Sequence, residues 1–391
     1  MIAERIKELE ESMTLAITAK AKAMKAQGEK VIIMASGEPD FDTPQNIKDA
    51  AVQAIAQGFT KYTATSGIDE LKEALCEKFR HENRIEYTKK NVIVTCGGKQ
   101  ALYNAIQATI NSGDEVIIPS PYWVSYVEQV KLAGGKPVIL NTGVTGFDLE
   151  KLKGALTPRT RMLIINSPNN PTGAVLERAT IEGIAALALE RKFLVISDEV
   201  YERFIYGSGI HHSIASLGPE MKELTITINA FSKTYSMTGW RVGYAAAPEA
   251  IIKAMGMVQD HQTSNTSSIS QKAALEALKG SQDSVTVMVR EFEKRRNYMV
   301  ERLNAIEGIE CPLPPGAFYT FPRVAALYHE KLNGSFAFAE RLLEEMKVAL
   351  IPGVGFGSDE HVRLTYSASL EDIREGMDRI AEFVSLQRSP R

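Results

Sequence analysis

A chain of 391 residues exceeds what one ordinary core supports, so a large domain with a smaller companion is expected. Apolar residues at 44% and charged residues at 24% exclude a disordered, fibrous or coiled-coil protein, and a formal net charge of -3 offers nucleic acid or anionic membrane no broad positive field. Cys76, Cys96 and Cys311 lie far apart without a C-x-x-C pair, which suggests neither a disulfide framework nor a zinc site and suits a reducing compartment.

The first residues alternate charges where a secretory signal needs an uninterrupted apolar stretch, and no later run reaches membrane-spanning length, so a cytoplasmic protein is expected. The N-terminal forty residues read as a helix, a short strand over 31–34 and a turn-rich arm, G-E-P-D-F-D-T-P. From about residue 90 to 250, β-rich runs alternate with helical patterns, the mark of βαβ units. Strands are predicted over 92–95, 115–118, 161–165, 193–196, 224–228 and 242–246. Helices with apolar residues at three-to-four spacing are predicted over 99–110, 177–191 and 249–258. After residue 270 the pattern turns to long helices, one over 284–305, followed by the linker-like P-L-P-P-G and short strands around Phe318 and Val362. The expected fold class is α/β: a large domain with a mostly parallel central sheet flanked by helices, plus a smaller α+β domain from both termini. The expected bounds are an arm and part of the small domain over 1–40, the large domain over 41–289 and the small domain over 290–391.

Open parallel sheets bind ligands beyond the carboxyl ends of their strands, and those loops are chemically loaded in this chain. Gly97 and Gly98 open a helix where backbone N–H groups and the helix dipole favour an anion; the plain alternative is an ordinary strand-to-helix turn. Lys99, in the helix's first turn, is repelled by the dipole unless an anion resides there. Asp198 ends a strand, either as a helix cap or ion-pair partner, or as a buried carboxylate holding a heterocyclic nitrogen protonated. Asn170, in N-N-P-T-G, begins a turn. Lys233 follows a strand with Ser232 and Tyr235 beside it, and Arg241 enters the next strand, placed to grip a phosphate with two parallel hydrogen bonds. No G-x-G-x-x-G follows an early strand and no G-x-S-x-G occurs, which removes the nicotinamide-enzyme and serine-hydrolase readings.

These residues resemble the fold-type-I aminotransferases of class I, in the bacterial aspartate aminotransferase subgroup. The resemblance runs from S-G-E-P-D-F-D-T-P through K-Y-T-A-T-S-G, G-G-K-Q-A-L, S-P-Y-W-V-S-Y, N-S-P-N-N-P-T-G, S-D-E-V-Y, S-K-T-Y-S-M-T-G-W-R and P-P-G-A-F-Y to H-V-R-L-T-Y-S. It implies pyridoxal 5'-phosphate held as a Schiff base on Lys233, its phosphate on Arg241 with Gly97, Gly98 and Ser232, and its ring nitrogen on Asp198. Asn170 and Tyr201 are then partners of the phenolic oxygen, and Trp123 stacks on the ring. Tyr62 resembles a residue that reaches the partner subunit's cofactor phosphate, implying a homodimer with shared sites. For substrate, the resemblance places the α-carboxylate on Arg363 near Gly37, and the side-chain carboxylate on Lys99 with Thr14.

Two departures stand out. Larger relatives carry a phosphate-binding serine where this chain has Ala230, and an arginine for the distal carboxylate within 262–271, where this chain has none. The expected activity is ping-pong transamination between aspartate or glutamate and a 2-oxo acid such as 2-oxoglutarate, with Lys233 as general base and then acid. The alternatives are a prephenate or aromatic aminotransferase with the same cofactor shell and, from another class, a non-catalytic binding module on the same fold.

Overall fold

The computed structural model describes residues 2–10, 13–144 and 146–388. Among these, β1 (Ile32–Ile33) belongs to the N-terminal arm. The next seven strands, β2 (Val92–Thr95), β3 (Glu115–Ser120), β4 (Lys136–Asn141), β5 (Thr160–Asn166), β6 (Leu194–Asp198), β7 (Thr225–Ala230) and β8 (Gly243–Ala246), form one sheet in the order β2-β8-β7-β6-β5-β3-β4. All pairings are parallel except those of β8, which runs antiparallel to both β2 and β7. The α/β class with a mostly parallel sheet flanked by helices is therefore the observed one.

Helices on both faces bury the central strands: V-I-V-T and L-V-I-S-D read as apolar runs, and T-I-T-I-N-A, which alternates threonine with isoleucine, is buried throughout as well. One face packs Ile93, Ile118, Ile164 and Ile228 against Leu102 and Ile106 of the helix Gly98–Thr109 and Met255 of the helix Glu249–Asp260. The other packs Leu163, Ile165 and Val195 against Ile181 and Ile184 of the helix Arg178–Arg191.

The sequence pattern missed β4. It pairs only with β3, is largely exposed and contains Lys136 and Pro137, a composition that edge strands tolerate and apolar-run reading overlooks.

Beyond the long helix Asp283–Asn304, β9 (Tyr319–Thr320), β10 (Val348–Ala349), β11 (Ile351–Pro352) and β12 (Val362–Thr365) complete the strands. β12 lies between β11 and β9, antiparallel to both, and β10 pairs in parallel with β1, so the N-terminal arm joins a C-terminal sheet. Phe292, Phe318, Phe338, Tyr366 and Phe383 fill the core beneath.

This topology places the site. Because β8 runs opposite to its neighbours, its amino end, just after Arg241, lies at the same sheet edge as the carboxyl ends of β2, β3, β5, β6 and β7. Gly97, Trp123, Asn170, Asp198 and Lys233 all follow from or close that edge.

Candidate active site

A cavity of about 420 Å³ opens at this sheet edge, walled by the strand-end loops, by the Ala35–Glu38 stretch and by the helix Met13–Ala26. Lys233 lies in the short helix Phe231–Thr234, directly after β7, and its Nζ donates to the carbonyl of Gly37. Burial lowers its pKa from 10.5 to about 8; Arg241 and Arg363 push the same way, while Glu38 and Asp198 oppose them. The amine is thus far easier to deprotonate than an exposed lysine.

Asp198 closes β6 and is 5% exposed. Tyr126 Oη donates to its Oδ2 at 2.6 Å and the Val200 N–H approaches Oδ1 at 3.3 Å, but among the described residues it forms no ion pair. Burial raises its pKa to about 6 against those two hydrogen bonds. A buried carboxylate with only neutral donors calls for a cation, which a protonated heterocyclic nitrogen supplies.

Gly97, with φ of 80°, turns the chain from β2 into the helix Gly98–Thr109. A Cβ on Gly97 would stand 2.5 Å from Arg241 Nη2, and one on Gly243 would stand 2.4 Å from the Gly98 nitrogen. Glycine at both places lets the guanidinium and the first helical amides share one concave seat. Arg241 itself is held at φ of 54°, a left-handed conformation that costs a non-glycine residue energy, and its Nη1 donates to Thr238 O at 2.9 Å. Ser232 lines the same cavity, as does Ala230. The seat, the buried acid and the amine fit the phosphate, ring nitrogen and aldehyde of pyridoxal phosphate.

On the opposite wall Arg363, in β12, is 3% exposed between the rings of Tyr319 and Phe356, 4.4 and 5.1 Å from their centroids. Its Nη1 donates to Asn170 Oδ1 at 2.9 Å and its Nη2 to Ala35 O at 2.8 Å, whereas its Nε has no partner. Burial pulls the guanidinium below its ordinary pKa, with the nearby phenols of Tyr319 and Tyr201 opposing. A buried guanidinium whose described donations go only to neutral oxygens calls for an anion, which a carboxylate supplies. Tyr201 is buried and shares a 2.8 Å hydroxyl contact with Tyr319.

Lys99 Nζ stands 4.9 Å over the Trp123 ring, and burial, followed by the charge of Arg241, lowers its pKa. Thr14 reaches the cavity from the helix Met13–Ala26. Thus Thr14, Gly37, Gly98, Lys99, Trp123 and Asn170 meet Asp198, Tyr201, Ser232, Lys233, Arg241 and Arg363 around one cavity, with Gly97 behind Arg241. Tyr62 is not among the lining residues: it is 92% exposed on this single chain.

Sequence reasoning gave no role to Tyr126, Tyr319, Thr238 or Glu38, all of which line the cavity. Tyr126 belongs to the same S-P-Y-W-V-S-Y segment as Trp123, at the start of the helix Ser125–Leu132, and that neighbourhood is the one signal the sequence offers for it.

Comparison with known proteins agrees with this geometry. The sequence model of the family described as aminotransferase class I and II matches residues 29–380. An aspartate aminotransferase of Bacillus sp. (strain YM-2) is 50% identical over 388 residues, 98% of this chain and 99% of that protein. A probable aspartate/prephenate aminotransferase of Aquifex aeolicus (strain VF5) is 47% identical over 384 residues, 97% of each. The crystal structure of the aspartate aminotransferase from Rhizobium meliloti superposes with a TM-score of 0.94 at 42% identity, covering 98% of this chain and 99% of that one.

Proposed function

The chain belongs to the class I and II aminotransferases, and from that premise we propose that it is a pyridoxal-phosphate-dependent aminotransferase exchanging an amino group between aspartate or glutamate and a 2-oxo acid. The observation that carries the reading is a single cavity in which a lysine of lowered basicity, a buried acid without a cation and two arginines converge.

In this reading Gly97, Gly98, Ser232 and Arg241 would hold the cofactor phosphate, Asp198 its ring nitrogen, Asn170 and Tyr201 its phenolic oxygen, and Trp123 would stack on the ring. When bound, pyridoxal phosphate supplies an aldehyde that captures the amino group and a ring that accepts the electrons left at Cα. Arg363, a buried guanidinium that donates only to the neutral oxygens of Asn170 and Ala35, would fix the α-carboxylate. Lys99 and Thr14 face the substrate's second carboxylate. Lys233 Nζ would take the Cα proton and later return it, a task suited to an amine whose pKa burial lowers from 10.5 to about 8. Tyr126 keeps Asp198 charged by donating to it, which opposes the burial that would neutralise it.

We place Tyr62 on the phosphate of the partner subunit's cofactor in a homodimer, which accounts for a tyrosine left 92% exposed on one chain. The free Cys76, Cys96 and Cys311 suit a reducing, cytoplasmic setting, and among the described residues no helix is long and apolar enough to cross a membrane. The domain bounds of 1–40, 41–289 and 290–391 are our division of the chain, in which the β1–β10 pairing groups the N-terminal arm with the C-terminal part. Prephenate, which also carries two carboxylates, is the second reading, favoured by the name of the Aquifex aeolicus relative.

Steady-state turnover of aspartate, glutamate, alanine and phenylalanine against 2-oxoglutarate and prephenate tests this assignment. Parallel lines in double-reciprocal plots with a dicarboxylic donor preferred are expected; no turnover of any donor, or preference for alanine over aspartate, contradicts it.

A further inference from the structure

Glu38 follows Gly37, the residue whose carbonyl receives Lys233 Nζ, and its side chain lines the same cavity. Hydrogen bonds hold it there, among them a long one of 3.5 Å from Ser36 Oγ to Glu38 Oε1. Thr238 Oγ1 donates to Glu38 Oε2 at 2.9 Å, and Ser367 Oγ donates to the Glu38 carbonyl at 2.8 Å. Thr238 is also the residue whose carbonyl receives Arg241 Nη1, at 2.9 Å. Glu38 therefore sits at the cavity lip, beside the lysine's anchor and one residue's breadth from the phosphate-seat arginine.

We propose that Glu38 is a positioning residue for Lys233: a fixed anionic charge at the cavity lip that keeps the lysine amine basic enough to accept a proton in a site dominated by cations. The inference rests on Lys233 being the reacting amine of the activity proposed above.

The charge inventory explains the need. Facing Lys233 are Arg363 from β12 and Arg241 from the approach to β8, both of which depress its basicity; Lys99, from the helix Gly98–Thr109, and Lys22, from the helix Met13–Ala26, line the same cavity. Asp198 from β6 opposes them, and Tyr126, Tyr201 and Tyr319 contribute hydroxyls held neutral by burial. The charge of Asp198, however, is the one committed to the cofactor's ring nitrogen. Glu38 is the remaining carboxylate on the wall, and its charge raises the basicity of Lys233 more than that of Asp198 does. Its acceptance of the Thr238 hydroxyl holds that charge near the amine rather than in open solvent.

Glu38→Gln removes the charge while leaving an amide oxygen for Thr238, so it separates electrostatics from geometry. The first measurement is the pH midpoint of the cofactor's absorbance change in the substrate-free, cofactor-loaded protein. The variant's midpoint is expected to fall by about half a unit or more, because one opposing charge is lost. Glu38→Asp should recover most of the shift. The gap between wild type and Glu38→Gln should also narrow between 50 mM and 1 M salt, as screening of a partly exposed charge requires and a purely structural role does not.

The second measurement is the pH dependence of Lys233 labelling by an amine-reactive reagent in cofactor-free full-length protein, read by peptide mass. It needs no assumption about the cofactor, so it decides the role of Glu38 even if the protein binds none. A lower labelling midpoint in Glu38→Gln supports the proposal. Equal midpoints for wild type and Glu38→Gln overturn it.

Discussion

Asp198→Asn is expected to stabilise the cofactor-free protein while abolishing its turnover. In the folded chain the carboxylate has a pKa of about 6 instead of 3.8, because burial costs its charge more than the hydrogen bonds from Tyr126 and Val200 recover. A shift of that size corresponds to roughly 3 kcal/mol of destabilisation at neutral pH, to order of magnitude. The sign follows from proton counts. Between pH 3.8 and about 6 the folded state binds more protons than the unfolded one, so wild-type stability falls as pH rises through that window and stays reduced above it. The asparagine variant carries no such charge, and its side-chain oxygen still accepts from Tyr126. Thermal or urea unfolding of both proteins without cofactor, from pH 4 to pH 8, measures the effect. The variant should match wild type near pH 4 and exceed it by a few degrees at pH 8. A variant less stable than wild type at pH 8, or a difference independent of pH, would refute the reasoning that this acid is a buried charge awaiting a cation.

Three further outcomes follow from the same geometry. Lys99→Ala should raise the KM for aspartate roughly tenfold or more and that for alanine little, since one charge-assisted hydrogen bond is worth about 1.5 to 3 kcal/mol; equal effects on both donors in steady-state kinetics remove Lys99 from substrate selection. Gly97→Ala should weaken cofactor binding, because its Cβ at 2.5 Å from Arg241 Nη2 displaces the guanidinium, and should also lower the unfolding midpoint, since φ of 80° strains a residue with a Cβ; unchanged affinity in a cofactor titration contradicts the phosphate seat. Burial alone would lower the pKa of His211, but the charge and 3.1 Å hydrogen bond of Glu199 outweigh it and raise it above 6.5. Its contribution to stability is therefore complete below pH 6.5 and lost as pH rises through the raised value, and a His211→Gln variant should show a flatter unfolding-midpoint profile in that range.

Much of this arrangement is legible in the sequence because chemistry concentrates at strand ends. The strand that ends in Asp198 begins as the apolar run L-V-I and the one before Lys233 alternates threonine with isoleucine, both strand-like, so the residues that follow them mark one sheet edge. The position of Arg241 depends on something less visible, the reversal of β8, which no local pattern encodes but which carries the guanidinium back to that edge. Contacts made between distant segments were not legible. Tyr126 meets Asp198 across 72 residues, and Arg363 reaches Ala35 across 328. The cage of Tyr319 and Phe356 around Arg363 likewise depends on how the C-terminal sheet closes over the cavity. β4 escaped notice for the opposite reason, since an exposed edge strand with a proline lacks the apolar continuity of its neighbours.

The account turns on a covalent link between Lys233 and the cofactor, and reduction of the cofactor-loaded protein with borohydride followed by peptide mass mapping measures it most directly. The predicted result is a pyridoxyl-phosphate mass on the peptide containing Lys233, absent from Lys233→Ala. Labelling of another lysine, or undiminished turnover by Lys233→Ala, would contradict it.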